Sequence, residues 1–168
     1  LKRILKLRCQ LDMEGIGEIK DKIKLKFYNS VTKMYDEIPW NSFFFEYDKE
    51  DYLRAFKYLS KKVYHPVVFC GKVKSVKPPT ENFKYYTTSI GFIEVEKNKY
   101  VSLNVLFDAP EMYMEMKDYE GCNVVIYGSE AYAKSVRTKK SEKSAEREYL
   151  NISMRICGTD QVLKIDGF

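Results

Sequence analysis

The side chains that could act as acids, bases or metal ligands are few, and each stands where a simpler explanation exists. His65 is the only histidine, so every histidine-dependent triad or multi-histidine metal site would need it. The carboxylates Glu94 and Glu96 flank a predicted turn, and Asp108 with Glu111 fits the start of a helix. Neither the GxxxxGK[ST] nor the GxGxxG phosphate-binding pattern occurs. The sequence therefore predicts a protein that is not an enzyme and needs no metal ion or cofactor.

The cysteines stand far apart in the chain and form no CxxC pair. A disulfide framework or a cysteine zinc site needs a regular spacing, so we expect buried free thiols in a reducing compartment. No apolar run approaches the roughly 20 residues that a membrane-spanning helix needs, and we expect no membrane association. The cysteines are Cys9, Cys70, Cys122 and Cys157.

Positive charge is concentrated in two short segments. The chain carries 29 basic against 24 acidic residues, a formal net charge of +5. Residues 1–8 hold four basic side chains and no acidic one, and residues 134–147 hold six basic against two acidic ones. The rest of the chain is therefore slightly acidic. A basic segment in a chain that is 15% aromatic permits contact with nucleic acid, which needs cations for phosphates and flat rings for bases.

Alternating apolar and polar residues predict a mainly β domain over residues 63–168. Val101, Leu103 and Val105 alternate with polar neighbours, which is the period of a half-buried strand. A short helix is expected after the third strand, where Asp108 can cap its first turn. Three strands, a helix and two strands are typical of the OB-fold, a five-stranded Greek-key barrel. The strands are predicted at 67–75, 83–95, 100–107, 122–132 and 149–156, with Gly91 as a bend or bulge and Gly121 as the helix end.

Residues 1–62 are expected to form an N-terminal α/β extension that packs on the barrel. Strand-like alternation occurs twice near the start of the chain. Asp48, with Asp51 three residues later, has the pattern of a helix N-cap. The apolar residues that follow keep helical spacing, which predicts a helix at about 49–62.

An OB-fold binds single strands across its second and third strands, between the loops that join strands one and two and strands four and five. The basic segment 134–147 falls in the second of these loops, and tyrosines lie on the strands. The alternative is that the loop is only solvated and that the tyrosines cover the barrel. The candidate nucleic-acid-binding residues are Lys72, Lys74, Tyr85, Tyr100, Asn104, Lys134, Arg137, Lys139, Lys140, Tyr149 and Arg155.

A further group of methionine and aromatic residues exceeds what one small barrel needs. Such side chains suit a surface on which a protein partner docks. Burial of the N-terminal extension against the barrel is the alternative explanation. The candidate partner-binding residues are Trp40, Phe44, Met112, Met114 and Met116.

Residues 65–76, HPVVFCGKVKSV, resemble the first OB strand of the Stn subunit of the CST telomere complex. That family is related to the middle subunit of replication protein A. It shows a His-Pro, then apolar residues, then a Gly-x-Val-x-x-Val pattern, which here is Gly71, Val73 and Val76. The segment 162–165 is similar in placement to the end of the family's OB domain.

The resemblance implies a nuclear protein at chromosome telomeres that pairs with a small Ten-type OB-fold subunit and a large CTC-type subunit. Such complexes bind single-stranded telomeric DNA and help DNA polymerase α–primase to fill in the complementary strand, and in ciliates they are associated with telomerase. Two other hypotheses stay open. One is a scaffolding OB domain that touches no nucleic acid, and the other is an RNA-binding OB module of a processing enzyme.

Overall fold

The computed structural model describes residues 44–61 and 67–165, which are mainly β. The expectations for Cys9, Trp40 and His65 lie outside the described residues. The strands are β1 (Phe44–Phe45), β2 (Val67–Lys72), β3 (Ser75–Lys77), β4 (Tyr86–Glu96), β5 (Lys99–Phe107), β6 (Asn123–Arg137), β7 (Glu148–Arg155) and β8 (Val162–Ile165). The helices are α1 (Lys49–Leu59) and α2 (Met112–Asp118), and a 3-10 turn spans Thr159–Gln161.

The eight strands form one mixed sheet in the order β1-β2-β6-β7-β5-β4-β3, with β8 paired to β6. This order has two ends, so the sheet is not closed. β1 runs parallel to β2 and β5 runs parallel to β7, whereas the other pairs are antiparallel. The strand predicted at 67–75 is divided between β2, which pairs with β6, and β3, which pairs with β4. Only residues 73 and 74 separate these two strands along the chain.

The break between β2 and β3 is filled by hydrogen bonds to other elements. The backbone N–H of Val73 donates to the carbonyl of Cys122 at 3.0 Å, and that of Lys74 donates to Ser89 at 2.8 Å. Gly121 has a φ of 82°, a left-handed conformation that glycine adopts without steric cost. Its N–H donates to the Val73 carbonyl at 2.8 Å. Helix α2 itself ends at Asp118 with Tyr119 in the cap position, so Gly121 lies in the turn after the helix rather than at its end.

Helix α1 begins and packs as its sequence predicts. The Asp48 side chain accepts a hydrogen bond from the N–H of Asp51 at 2.8 Å, which satisfies a donor of the first turn. Tyr52, Ala55 and Leu59 form a fully buried stripe at helical spacing. This stripe belongs to the same hydrophobic core as the sheet, so the described residues 44–61 and the strands bury one another.

Two element boundaries predicted from the sequence are wrong. Helix α2 begins at Met112 with Glu111 in the cap position and without a side-chain cap; Asp108 instead lies 3.4 Å from Arg155 in an ion pair. Strand β6 continues to Arg137 rather than ending near residue 132, because its last residues stay paired with β7. The predicted bulge at Gly91 is confirmed, because the register of β4 with β5 shifts between Ser89 and Gly91.

Candidate functional site

Strands β4, β5, β7 and β6 lie side by side and share a solvent-facing surface. Residues in register across a sheet point to the same side, and alternate residues along a strand point to opposite sides. Leu103 and Ile152 on the inner side are fully buried. The solvent-facing side of these four strands is called the outer face. On it, side chains in register form four rows that run across the strands. The rows are Glu94, Tyr100, Tyr149 and Val136; Phe92, Ser102, Asn151 and Lys134; Ser89, Asn104, Ser153 and Tyr132; and Thr87, Leu106, Arg155 and Ser129.

Three rings stack at one end of the outer face, and we call them the aromatic ladder: Phe92, Tyr100 and Tyr149. The ring centroids of Phe92 and Tyr100 are 5.0 Å apart with planes inclined by 15°. Those of Tyr100 and Tyr149 are 5.6 Å apart with planes inclined by 22°. Phe92 keeps 41% of its surface exposed. The ladder therefore offers a flat, partly open aromatic surface on which a further ring can stack.

Cationic side chains border the aromatic ladder at both ends. The ammonium group of Lys74 lies 5.4 Å from the Phe92 ring centroid and donates a hydrogen bond to the Phe92 carbonyl at 3.3 Å. At the other end, a hydrogen bond with the Tyr149 hydroxyl, together with the nearby Tyr100, raises the pKa of Arg147 above its ordinary value. Both side chains are exposed. The ladder thus combines stacking surfaces with positive charge.

The middle of the outer face is polar. Ser102 donates a hydrogen bond to the Oδ1 atom of Asn151 at 2.8 Å. Lys134 is in register with Asn151 on the neighbouring strand and is exposed. Asn104 follows two residues after Ser102 on the same side of β5. These groups can donate and accept hydrogen bonds beside the rings.

The other end of the outer face is held by charge pairs around Arg155. Its guanidinium lies 3.1 Å from Glu130 and 3.4 Å from Asp108, and 5.1 Å from the Tyr85 ring centroid. Glu130 has a φ of 49° within the β6 bulge, where the register shifts between Ser129 and Tyr132. Partial burial lowers the pKa of Arg155, but the bond to Glu130 and the nearby Tyr85 and Asp108 together outweigh burial, so the pKa is raised.

The predicted cations do not all reach this surface. Lys134 and Arg137 lie on strand β6 rather than in the loop after it. Arg137 is in register with Glu148 and pairs with it at 3.8 Å, on the side of the strand opposite Lys134, because the two are an odd number of residues apart. Lys72 is in register with Asn123, at the other end of β6 from Lys134.

Lys139 and Lys140 lie exposed in the connection between β6 and β7. This connection is structured at its base, where the N–H of Thr138 donates to the carbonyl of Arg147 at 2.8 Å. Ser141 and Ser144 bond each other across its tip. The predicted loop is thus an extension of the β6–β7 hairpin.

Three of the predicted partner-binding residues are buried within the chain. Phe44 is 3% exposed on β1, and Met112 and Met116 face the core from α2 at 6% and 0%. They contribute to the folded core and cannot form a docking surface on this chain. Met114, on the other side of α2, is 67% exposed. The interpretation of the α2 methionines as one surface is corrected, since their spacing places two of them inward.

Several outer-face residues are missing from the sequence-based candidates. They are exposed or half-buried side chains that only strand register brings together with Tyr100 and Tyr149. For the strand residues, period-two alternation with a known neighbour could have identified them, whereas Arg147 precedes β7 and needed the tertiary structure. They are Phe92, Tyr132, Val136 and Arg147.

Metal ligands and free thiols do not extend this site in the described part of the chain. The carboxylates of Glu46, Asp48 and Asp51 lie within 4.8 Å of one another, but Asp48 and Asp51 accept backbone hydrogen bonds at the start of α1. Cys70 is a buried free thiol, as predicted, whereas Cys122 is half-buried and Cys157 exposed. None of the described helices has the length and apolar character to cross a bilayer.

No family model and no curated protein matches the chain. Among solved structures, OBody AM3L09 bound to hen egg-white lysozyme is similar at 10% identity and a TM-score of 0.36, over 65% of this chain and 89% of that one. Aspartyl tRNA synthetase from Entamoeba histolytica is similar at 10% identity and a TM-score of 0.27, over 65% of this chain and 21% of that one. These weak similarities say nothing about a ligand.

Proposed function

We propose that the chain is a non-enzymatic OB-fold module that binds single-stranded nucleic acid across its outer face. The strand order supports the OB-fold: β2 with β3 supplies the first strand, β4 the second, β5 the third, β6 the fourth and β7 the fifth. Helix α2 lies between the third and fourth strands. The first strand pairs with both the second and the fourth, and the third pairs with the fifth, which suits a partly open Greek-key barrel.

The observation that carries this proposal is the aromatic ladder with cations beside it. Bases stack on aromatic rings with little regard for sequence, and cations follow the phosphates. Phe92 offers an exposed ring, and Lys74 and Arg147 lie within reach of the ladder. Lys134 lies in the row of Phe92, next to the row that holds Tyr100 and Tyr149. A single strand laid along β5 would meet both requirements at once.

We further propose that the ligand is single-stranded telomeric DNA and that the chain acts in the nucleus as an Stn-like subunit. It would pair with a small Ten-type and a large CTC-type subunit, in contact with DNA polymerase α–primase or telomerase. The resemblance of residues 65–76 supports this narrower form. Within that segment, a Cβ added at Gly71 would lie 2.2 Å from the Ile90 side chain, so packing also demands the glycine of the pattern.

Fluorescence anisotropy with labelled single strands tests the binding function. The wild-type chain is expected to bind telomeric single-stranded DNA at low salt. Phe92→Ala should weaken this binding by about tenfold, through loss of one stacked base. Met114→Ala is the matched control, because it removes an exposed apolar side chain outside the outer face and should leave the affinity unchanged.

The same experiment separates the alternatives. A ribose strand of equal sequence that binds more tightly than DNA would favour an RNA ligand. A protein partner on the outer face is the second candidate, favoured by the exposed Tyr132 and Val136, which are 45% and 41% accessible. Absence of oligonucleotide binding, together with a complex that Val136→Asp disrupts, would replace nucleic-acid binding by that candidate. Co-purification of a Ten-type subunit from source cells tests the telomere assignment.

A further inference from the structure

The connection between β3 and β4 carries a second aromatic pair, at the opposite end of the outer face from the aromatic ladder. Phe83 packs edge-on against Tyr85 with ring centroids 5.7 Å apart, and Phe83 stays 43% exposed. Thr80 and Phe83 close the turn through two backbone hydrogen bonds, of 2.9 and 3.2 Å. An exposed phenylalanine on a closed turn is a preformed surface, since little conformational entropy is left to lose there on binding.

Tyr85 joins this turn to the outer face. Its ring lies 5.1 Å from the Arg155 guanidinium and 5.0 Å from the Lys84 ammonium group. Arg155 is itself in the last row of the outer face and is paired with Glu130 and Asp108. With two carboxylates beside Arg155, this end of the face is poorly suited to a phosphate but open to an uncharged ring at Phe83.

The spacing between the two aromatic groups fits a single extended ligand. Tyr149 and Arg155 are six residues apart on β7, which is about 20 Å along a strand. Between them the outer face offers the polar side chains of Asn151 and Ser153. A strand of several nucleotides would have to cross this polar interval to touch both ends.

We propose that Phe83, supported by Tyr85, is a second base-stacking platform that engages only ligands long enough to run from the aromatic ladder to Arg155. This inference rests on the proposed function and adds a length requirement to it. A short strand occupies the ladder alone. A longer strand adds one stacked base at Phe83 without an additional phosphate contact at Arg155.

Binding of oligodeoxythymidylates of about four and about twelve nucleotides, both within OB-fold site sizes, tests the platform. Phe83→Leu keeps an apolar side chain but removes the aromatic face. It is expected to weaken binding of the longer strand by about tenfold, to leave the shorter strand unaffected, and to leave the salt dependence unchanged. Phe92→Ala should weaken both lengths, and Met114→Ala neither. Circular dichroism melting of each variant checks that the fold is intact.

Distinct results overturn the inference and the function beneath it. If Phe83→Leu weakens neither strand, or both equally, while Phe92→Ala weakens both, the second platform is rejected and the ladder stands. If the wild-type chain binds neither length at low salt, the proposed nucleic-acid function fails and the platform fails with it.

Discussion

Tyr52 is fully buried although it carries a hydroxyl, because that hydroxyl donates to the backbone oxygen of Cys70 at 2.9 Å. Its ring packs edge-on against Phe69, with centroids 5.7 Å apart. Burial raises the pKa of Tyr52 well above its ordinary 10.0, and burial likewise raises the pKa of the Cys70 thiol above 9.0. The folded chain therefore keeps two protons that the unfolded chain releases in alkaline solution.

This difference makes the stability of the fold fall at alkaline pH. The contribution of each group is fully present below its unfolded pKa and is lost as pH rises toward its higher folded pKa. We expect Tyr52→Phe to lower the free energy of unfolding by about 1 kcal/mol at neutral pH, since a hydrogen bond is lost. Above pH 10.0, the ordinary tyrosine value, the free energy of unfolding of Tyr52→Phe should fall less steeply with pH than that of the wild type. Urea unfolding across a pH series measures both effects.

Cys70→Ala is the companion variant for this titration. It should remove the loss of unfolding free energy that begins near pH 9.0, the ordinary thiol value. The loss caused by Tyr52 at higher pH should remain. Parallel declines of the wild type and Tyr52→Phe above pH 10.0 would show that Tyr52 is not the titrating group.

Among the elements, α1 approaches strand β4 so closely at Tyr52 that β4 needs a glycine there. A Cβ added at Gly91 would lie 2.6 Å from the Tyr52 ring and 2.8 Å from its hydroxyl. One added at Gly71 would lie 3.0 Å from the same hydroxyl. The sequence suggests a bulge at Gly91 because glycine bends strands easily; the contacts show that the position also has no room for a side chain.

Gly91→Ala is therefore expected to destabilise the fold by about 1–3 kcal/mol, as overpacking of a core does. Combined with Tyr52→Ala, which removes the nearest ring, its additional cost should become smaller, and only the 3.0 Å approach to the Tyr47 ring would remain. Gly121→Ala is the contrasting control, because its Cβ would meet no atom within 4 Å but its φ is 82°. Its cost of about 1–2 kcal/mol arises from the backbone and should be independent of Tyr52. Additive losses for Gly91 and Tyr52 in denaturant unfolding would disprove the steric explanation.

Period-two alternation is a local signal. It therefore predicts from the sequence where the strands lie and which residues of β5 and β7 face the core. The first residue of α2 is not predictable in this way, because the Asp108 side chain can either cap a helix or form an ion pair. The spacing suggests a cap for α2, but α2 begins only at Met112, and the Asp108 carboxylate instead pairs with Arg155, which is distant in the chain. The position of Phe92 in the site is also not a local signal, since only the register of β4 with β5 brings its ring beside Tyr100.

At the scale of the whole molecule, the basic segment 134–147 is a single feature in sequence but serves more than one surface. Lys134 lies on the outer face, whereas Arg137 points to the opposite side and pairs with Glu148. Arg147 returns to the ladder through Tyr149. The net charge of +5 therefore overstates the positive charge available to one ligand strand. What matters for binding is which cations share a face.

The salt dependence of binding can count those cations. Each phosphate neutralised on a single strand contributes about 0.7 to the slope of log affinity against log salt concentration. Lys134→Gln should lower that slope by about this amount, because its side chain lies on the outer face, in the row next to Tyr100 and Tyr149. Arg137→Gln and Lys72→Gln remove the same charge from other surfaces and should leave the slope unchanged. If all three variants lower the slope equally in anisotropy titrations, the positive charge acts diffusely and the ligand does not follow the outer face.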